Sequence, residues 1–219
     1  MSFSPHIIQE KEQTFELGTI ENKMILYDFD KIITYLNYKG KLLFDYKFKI
    51  HETDLSLIYK LVVYYIQDKE NCRKLGLDLS KGILLTGPVG CGKTSLMKLL
   101  KHLTPHLINY EVIPCRDAVF QFNSKGFLVI EKYGNTNSYC FDDIGIESKG
   151  KHFGQNCNVV GEILLSRHDL FSKTRKKTFA TTNLNAKEIE SRYGSRVRSR
   201  MRQLFNLVAF DKDCLDKRS

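Results

Sequence analysis

The chain has 219 residues, of which 42% are hydrophobic, so it is long enough for one α/β domain with a modest appendage and apolar enough to bury a core. A formal net charge of +9 favours polyanionic partners such as nucleic acid, although a merely soluble basic protein is the alternative. Six scattered cysteines without a C-x-x-C pair argue against a zinc site or a disulfide framework, and the lack of a signal-like or membrane-length apolar run predicts a cytoplasmic protein with no membrane partner.

A short lead-in, residues 1–75, is predicted to be mostly helical. Apolar residues recur at helical spacing from Asp28 to Tyr38, and Gly40 is well placed to end this helix. The pattern then predicts a short strand at 42–50 and a longer helix from about residue 54 to residue 75. It assigns no structure to the first 25 residues.

After Gly82 the sequence changes to short apolar runs separated by polar helical stretches. This pattern is typical of a parallel sheet covered by helices. Strands are predicted at 83–86, 110–113, 138–141, 178–182 and 204–210, and helices at 94–103, 116–125, 158–170, 186–193 and from about 195. Residues 76–219 are therefore predicted to form an α/β domain with a five-stranded parallel sheet sandwiched by helices.

The segment Gly87–Thr94 matches the phosphate-loop pattern G-x-x-x-x-G-K-T, directly after one predicted strand and directly before a helix. Glycines allow backbone N–H groups to turn towards phosphates, and the helix N-terminus adds partial positive charge. Lys93 is predicted to contact the β- and γ-phosphates of ATP, and Thr94 to bind Mg²⁺. The predicted nucleotide-binding residues are Gly87, Pro88, Val89, Gly90, Cys91, Gly92, Lys93, Thr94 and Ser95.

Two carboxylates follow the apolar strand that ends at Phe141. A phosphate loop needs a carboxylate on a neighbouring strand to hold the metal, and Asp142 is predicted to do so. Asp143 is the candidate base that orients and deprotonates the attacking water, with Glu147 as a weaker substitute. The alternative is a turn before Gly145 with two exposed carboxylates and no catalytic role.

Asn183 ends another apolar strand and is predicted to be a sensor that hydrogen-bonds the γ-phosphate or the attacking water. A helix N-cap is the alternative for an asparagine at this point.

Four arginines alternate along the last predicted helix: Arg196, Arg198, Arg200 and Arg202. Arg196 and Arg200 would share one helical face, where like charges repel unless an anion lies near them. One of the four could act as an arginine finger for ATP held by a neighbouring subunit. A solvated basic face or a DNA-backbone contact is the alternative.

In this order, these elements resemble the AAA+ ATPases of the DnaC/IstB class, which are bacterial helicase loaders and transposition helper ATPases. The resemblance covers about Lys81 to the end and rests on the phosphate loop, Asp142-Asp143-Ile144-Gly145, Thr182-Asn183 and Gly194-x-Arg196-x-x-x-Arg200. It implies that Arg200 is the arginine finger. A weaker similarity at Asp216-Lys217-Arg218 implies that Arg218 faces the nucleotide as a second sensor.

The resemblance also implies a function. A member of this class would hydrolyse Mg-ATP as an ATP-dependent homo-oligomer, bind single-stranded DNA without sequence preference, and act on a replicative helicase or a transposase. Two other functions share a phosphate loop: a nucleoside or nucleotide kinase, and a nucleotide-dependent binding module with negligible turnover. A kinase needs an arginine-rich closing lid and an acceptor pocket, whereas here the arginines lie in a Gly-x-Arg box.

Overall fold

The computed structural model describes residues 4–217. The chain divides into two compact units, one formed by the residues up to Asp68 with Ser95–Asn109, and the other by Lys69–Thr94 with the residues from Tyr110 onward. The domain boundary expected between residues 75 and 76 stays a prediction. In the described part of the chain, no helix is long and apolar enough to cross a membrane.

The first unit begins with two antiparallel hairpins, followed by helices. Its elements outside Ser95–Asn109 are β1 (Ile7–Glu10), β2 (Gln13–Glu16), β3 (Gly18–Glu21), β4 (Met24–Tyr27), α1 (Phe29–Leu43), a 3₁₀ turn (Glu52–Asp54) and α2 (Leu55–Tyr65). Asp28 caps α1, because its carboxylate accepts hydrogen bonds from the N–H groups of Asp30 and Lys31.

The strand predicted at 42–50 is wrong. Helix α1 continues through Gly40 to Leu43, and turns and irregular backbone follow. A Cβ atom at Gly40 would lie only 2.1 Å from the ring of Phe48, so the glycine makes room for this ring inside the helix instead of ending it. The rings of Phe44 and Phe48 pack with centroids 5.3 Å apart, and this local clustering replaces the alternation that imitates a strand.

The single helix predicted from residue 54 to residue 75 is also wrong, because it is two helices, α2 and α3 (Lys69–Lys74). Gln67 has a left-handed φ of 59°, and the N–H of Asp68 donates to the carbonyl of Val63 at 3.1 Å. This is the hydrogen bond of a Schellman helix end, a position that glycine usually occupies. The sequence carries glutamine there, so no residue marks the break.

The remaining elements alternate between strands and helices. In chain order they are β5 (Gly82–Thr86), α4 (Lys93–Leu100), β6 (Glu111–Pro114), α5 (Cys115–Lys125), α6 (Leu128–Asn135), β7 (Tyr139–Ile144), β8 (Gly150–His152), β9 (Gln155–Cys157), α7 (Val159–Thr174), β10 (Phe179–Thr182), α8 (Ala186–Leu204) and β11 (Phe205–Ala209). Helix α6 and the β8–β9 hairpin are additions to the predicted pattern.

Five of these strands form one parallel sheet in the order β11-β5-β10-β7-β6, which confirms the predicted fold class. Side chains from the sheet and its flanking helices form a common core, including Phe141 and Ala180 in the sheet, Phe122 in α5, Leu164 in α7 and Met201 in α8. The three central strands are buried almost throughout, as is usual for a parallel sheet covered on both faces.

The register of the sheet brings three strand ends to one edge. Thr182 pairs with Thr86 of β5 on one side and with Ile144 of β7 on the other. The residues that follow these strands therefore leave the sheet at the same edge, where parallel α/β sheets commonly hold their ligands.

Candidate functional site

The loop between β5 and α4 turns through Gly90 and Gly92, whose φ angles are 84° and 95°. These left-handed conformations are readily adopted by glycine. Helix α4 begins at Lys93 immediately after the loop, and Thr94 and Ser95 are its next residues. Its N-terminus therefore adjoins the loop, as the phosphate-loop motif requires.

The side chain of Lys93 is buried and folds back over this loop. Its Nζ donates to the carbonyl oxygens of Gly87 at 2.8 Å and Pro88 at 2.7 Å. The ammonium is thus held against the backbone that is predicted to surround the phosphates.

Asp142 lies at the centre of a group of oxygen atoms. The hydroxyl of Thr94 lies 2.9 Å and 3.0 Å from its two carboxylate oxygens, and the hydroxyl of Thr181 donates to Oδ1 at 2.7 Å. Carboxylate and hydroxyl oxygens are ligands suited to Mg²⁺, which takes only a few protein ligands and completes its shell with phosphates and waters. The predicted metal ligands Thr94 and Asp142 therefore lie together and have suitable chemistry.

Asp143 occupies a β-bulge. Phe141 pairs with Ala180 and Ile144 with Thr182, so two residues of β7 lie opposite the single residue Thr181 of β10. Asp143 has a left-handed φ of 57°, and its N–H donates to the Thr181 hydroxyl at 2.8 Å. Bulges redirect side chains and are common beside active sites. Asp143 is less buried than Asp142, so the two adjacent carboxylates have different surroundings.

Thr181 is a functional candidate that the sequence analysis missed. Its hydroxyl contacts both the Asp142 carboxylate and the Asp143 backbone. A signal was present, because Thr181 and Thr182 are two consecutive hydroxyl residues in a strand whose other positions are apolar.

Asn183 is exposed and directly follows β10 at the site edge. The N-cap alternative for Asn183 is wrong, because the residue that caps α8 is Asn185. Its side chain accepts from the N–H groups of Lys187 and Glu188, and the Glu188 carboxylate accepts from the Asn185 N–H. Asn183 is therefore left available for contacts at the edge of the sheet.

Glu147, the alternative base, is buried and already accepts several hydrogen bonds. Oε2 accepts from the N–H of Gly145 at 2.9 Å, and Oε1 accepts from the hydroxyl of Tyr193. The guanidinium of Arg192 donates to the Glu147 carbonyl, and its Nε lies 3.5 Å from Oε1. These contacts favour Asp143 over Glu147 as the base.

The arginine box lies beyond a break in α8. Gly194 is non-helical, with φ 88° and ψ 162°, so the predicted pair of helices is present. Arg198 forms an ion pair with Glu190, whereas Arg196 is exposed and Arg200 half-buried. Within residues 4–217, Arg200 has no hydrogen-bond or ion-pair partner, which leaves it available to a group outside the chain.

The C-terminal segment lies against the phosphate loop, a contact that no sequence motif indicates. The N–H of Lys217 donates to the carbonyl of Gly90 at 3.1 Å, and its Nζ donates to the carbonyl of Cys91 at 2.9 Å. Arg218, the predicted second sensor, lies outside the described residues.

Known structures with the same architecture were found, although no protein-family model and no curated protein sequence matches the chain. The crystal structure of the DnaC helicase loader superimposes with a TM-score of 0.52 at 17% identity, over 76% of this chain and 95% of that one. A putative primosome component from Streptococcus pyogenes serotype M3 gives 0.55 at 17% identity, over 75% and 83%. DnaI gives 0.52 at 18% identity, over 74% and 87%.

The chain has the AAA+ fold of DnaC and DnaI. At these identities the likeness establishes the fold, and it confirms the resemblance inferred from the sequence motifs. In this DnaC-type fold the phosphate loop follows the central strand β5, with β10 and β7 beside it. The candidate residues Lys93, Asp142 and Asn183 are thus brought to one edge by three neighbouring strands.

Proposed function

We propose that the protein is a Mg-ATP-hydrolysing AAA+ ATPase that acts as an oligomer on DNA, in the manner of a helicase loader or a DNA replication or transposition helper. The observation that carries this proposal is the oxygen cluster of Thr94, Asp142 and Thr181 beside a complete phosphate loop. Such a cluster matches what phosphoryl transfer requires of a protein, namely a metal site next to a phosphate cradle.

Each residue has a distinct proposed role. Lys93 and the loop N–H groups bind the phosphates, and Thr94 with Asp142 would hold Mg²⁺, which when bound neutralises charge on the phosphates. Asp143 orients the attacking water and accepts its proton, while Asn183 hydrogen-bonds the γ-phosphate or that water. Ser95, next in α4, extends the phosphate-binding helix start, and Arg218 is proposed to face the nucleotide.

Arg200 is proposed to complete the site of a neighbouring subunit. A finger supplied in trans adds positive charge at the transferring phosphate only when subunits assemble. Hydrolysis would then depend on homo-oligomer formation. This assembly is proposed to bind single-stranded DNA and to act on a replicative helicase or transposase, supported by the fold shared with proteins named as a helicase loader and a primosome component.

Nucleotide binding and phosphate release test this proposal directly. Lys93→Ala should weaken ATP binding by about 2–4 kcal/mol, because one charged phosphate contact is lost. Lys98→Ala, at an exposed position of the same helix, is the matched control and should bind ATP normally. ATP binding can be followed by calorimetry, and phosphate release by a coupled assay with and without single-stranded DNA.

Three results would contradict the proposal in different ways. Unchanged ATP affinity in Lys93→Ala would remove the phosphate-loop assignment. Phosphoryl transfer to a nucleoside or nucleotide in an acceptor screen would indicate a kinase. Tight ATP binding with negligible phosphate release at every protein concentration would indicate a nucleotide-dependent binding module.

A further inference from the structure

A buried cluster connects the end of the metal-binding strand with the start of the arginine box. It consists of Gly145, Glu147, Arg192 and Tyr193 and is here named the Glu147 clamp. The Glu147 side chain is only 3% exposed, and both of its carboxylate oxygens accept hydrogen bonds from the two ends of the cluster. A buried carboxylate is costly unless it is fully bonded, so this arrangement fixes both ends with respect to each other.

One end of the clamp belongs to the candidate active site. Gly145 follows Asp143 by two residues, and its N–H donates to Glu147 Oε2 at 2.9 Å. The backbone that leaves the bulge of Asp142 and Asp143 is therefore held by this carboxylate. A shift of the metal strand would be felt first at this hydrogen bond.

The other end lies immediately before the break in α8. The hydroxyl of Tyr193 donates to Glu147 Oε1, and Arg192 donates to the Glu147 carbonyl. Burial, followed by the charge of Glu147, raises the pKa of the Tyr193 phenol, so Tyr193 keeps its proton and remains the donor.

Gly194 makes the direction of the following helix independent of the preceding one. Its φ of 88° and ψ of 162° lie in a region that is essentially restricted to glycine. A Cβ atom at Gly194 would meet no atom within 4 Å, so backbone conformation and not space requires the glycine. The half of α8 that bears Arg196 and Arg200 therefore starts from the point that Tyr193 fixes.

We propose that Glu147 is a positioning residue that aligns the arginine-bearing half of α8 with the metal strand, so that Arg200 is presented correctly to ATP in a neighbouring subunit. This inference rests on the proposed ATPase function. It assigns Glu147 to the subunit that donates the arginine, and not to the subunit whose ATP is hydrolysed. A catalytic base would belong to the second subunit, so the two roles predict opposite behaviour in mixtures.

Glu147→Gln keeps the size of the side chain but removes its charge and one acceptor oxygen. Its phosphate loop and metal ligands are unchanged, so it should bind ATP like the unmodified protein. Hydrolysis by Glu147→Gln alone should fall roughly tenfold to a hundredfold, since small misplacement of a catalytic group has effects of this order. Circular dichroism and thermal unfolding check that the variant folds.

Mixing with two other variants distinguishes the donor from the acceptor. Lys93→Ala lacks a working loop but can donate Arg200, and Arg200→Ala has a loop but no finger; these two mixed together provide the reference for restored activity. Glu147→Gln mixed with Lys93→Ala should regain hydrolysis to about the level of this reference. Glu147→Gln mixed with Arg200→Ala should stay inactive, because neither supplies a well-placed finger.

The opposite pattern would overturn the proposal. Restoration with Arg200→Ala but not with Lys93→Ala would make Glu147 a catalytic group in its own site, and unchanged hydrolysis in Glu147→Gln would remove any role. Failure of both mixtures while the reference mixture works would show a merely structural residue. If the unmodified protein releases no phosphate, the proposed function fails instead, and this outcome is separate from the other three.

Two further variants support the comparison. Tyr193→Phe removes only the hydroxyl donor, so it should show the same mixture pattern with a smaller loss even if Glu147→Gln folds poorly. Normal hydrolysis in Tyr193→Phe would contradict the clamp. Glu162→Gln, a neutralised glutamate at an exposed position of α7, is the matched control and should hydrolyse ATP at the normal rate.

Discussion

Asp142 and Asp143 are adjacent residues with different surroundings. Asp142 is buried and bonded by two threonine hydroxyls, while Asp143 lies in a bulge with left-handed backbone. The sequence predicts both carboxylates, because an apolar strand ends at them. It cannot predict the bulge, which depends on Thr181 of a strand about forty residues later accepting the N–H of Asp143.

Asp143→Asn should leave Mg-ATP binding intact and slow hydrolysis by about a hundredfold or more, because the amide cannot accept the proton of the attacking water. Single-turnover phosphate release at saturating ATP measures this step. Asp142→Asn should instead weaken the dependence of ATP binding on Mg²⁺. Asp169→Asn, whose side chain is 76% exposed, is the control. Near-normal turnover in Asp143→Asn would place the base elsewhere.

At the scale of elements, the sequence predicts the buried strands well and the peripheral elements poorly. The central strands are short apolar runs ending in polar residues, and their observed positions agree with those predicted to within a few residues. Helix α6 was missed because its first turn is unusually exposed: Leu128 is 68% accessible and Phe127 before it 64%. The β8–β9 hairpin has three-residue strands, too short for a clear alternating pattern.

Arg167 connects two strands of the sheet at the end opposite to the candidate site. It is fully buried and donates to the hydroxyl of Thr178 at 2.8 Å and to the carbonyls of Asn137 at 2.8 Å and Lys177 at 3.0 Å. These residues precede β10 and β7. Burial lowers the pKa of Arg167 to about 10, so the guanidinium remains charged at neutral pH.

Arg167→Lys should lower the free energy of unfolding by about 2–4 kcal/mol, because a single ammonium cannot reach three acceptors and leaves buried groups without donors. Urea denaturation followed by circular dichroism measures the change. Arg202→Lys, at an exposed position of α8, should be neutral within about 0.5 kcal/mol. Equal stability of the two variants would show that the three hydrogen bonds add nothing to the fold.

For the whole molecule, the net charge of +9 is the main property that the sequence predicts without any motif. The structure adds where some of it lies: Lys149 and Lys151 are exposed on either side of Gly150 at the start of the β8–β9 hairpin, and Phe153 at its tip is 94% exposed. Lysines arranged in this way neutralise phosphates without reading bases.

Binding of single-stranded DNA should therefore be independent of sequence and strongly dependent on salt, because counterions released from the phosphates supply the free energy. Fluorescence anisotropy with two unrelated oligonucleotides over a salt series measures both properties. Replacing Lys149 and Lys151 together by alanine should reduce the slope of log affinity against log salt by about 2, roughly 1 for each lost phosphate contact. Lys11→Ala with Lys23→Ala, two exposed lysines of the first unit, is the matched control for the loss of two charges. If both double variants lower the affinity equally, the attraction is a property of net charge and not of the hairpin, and a marked preference for one oligonucleotide would contradict phosphate-only binding altogether.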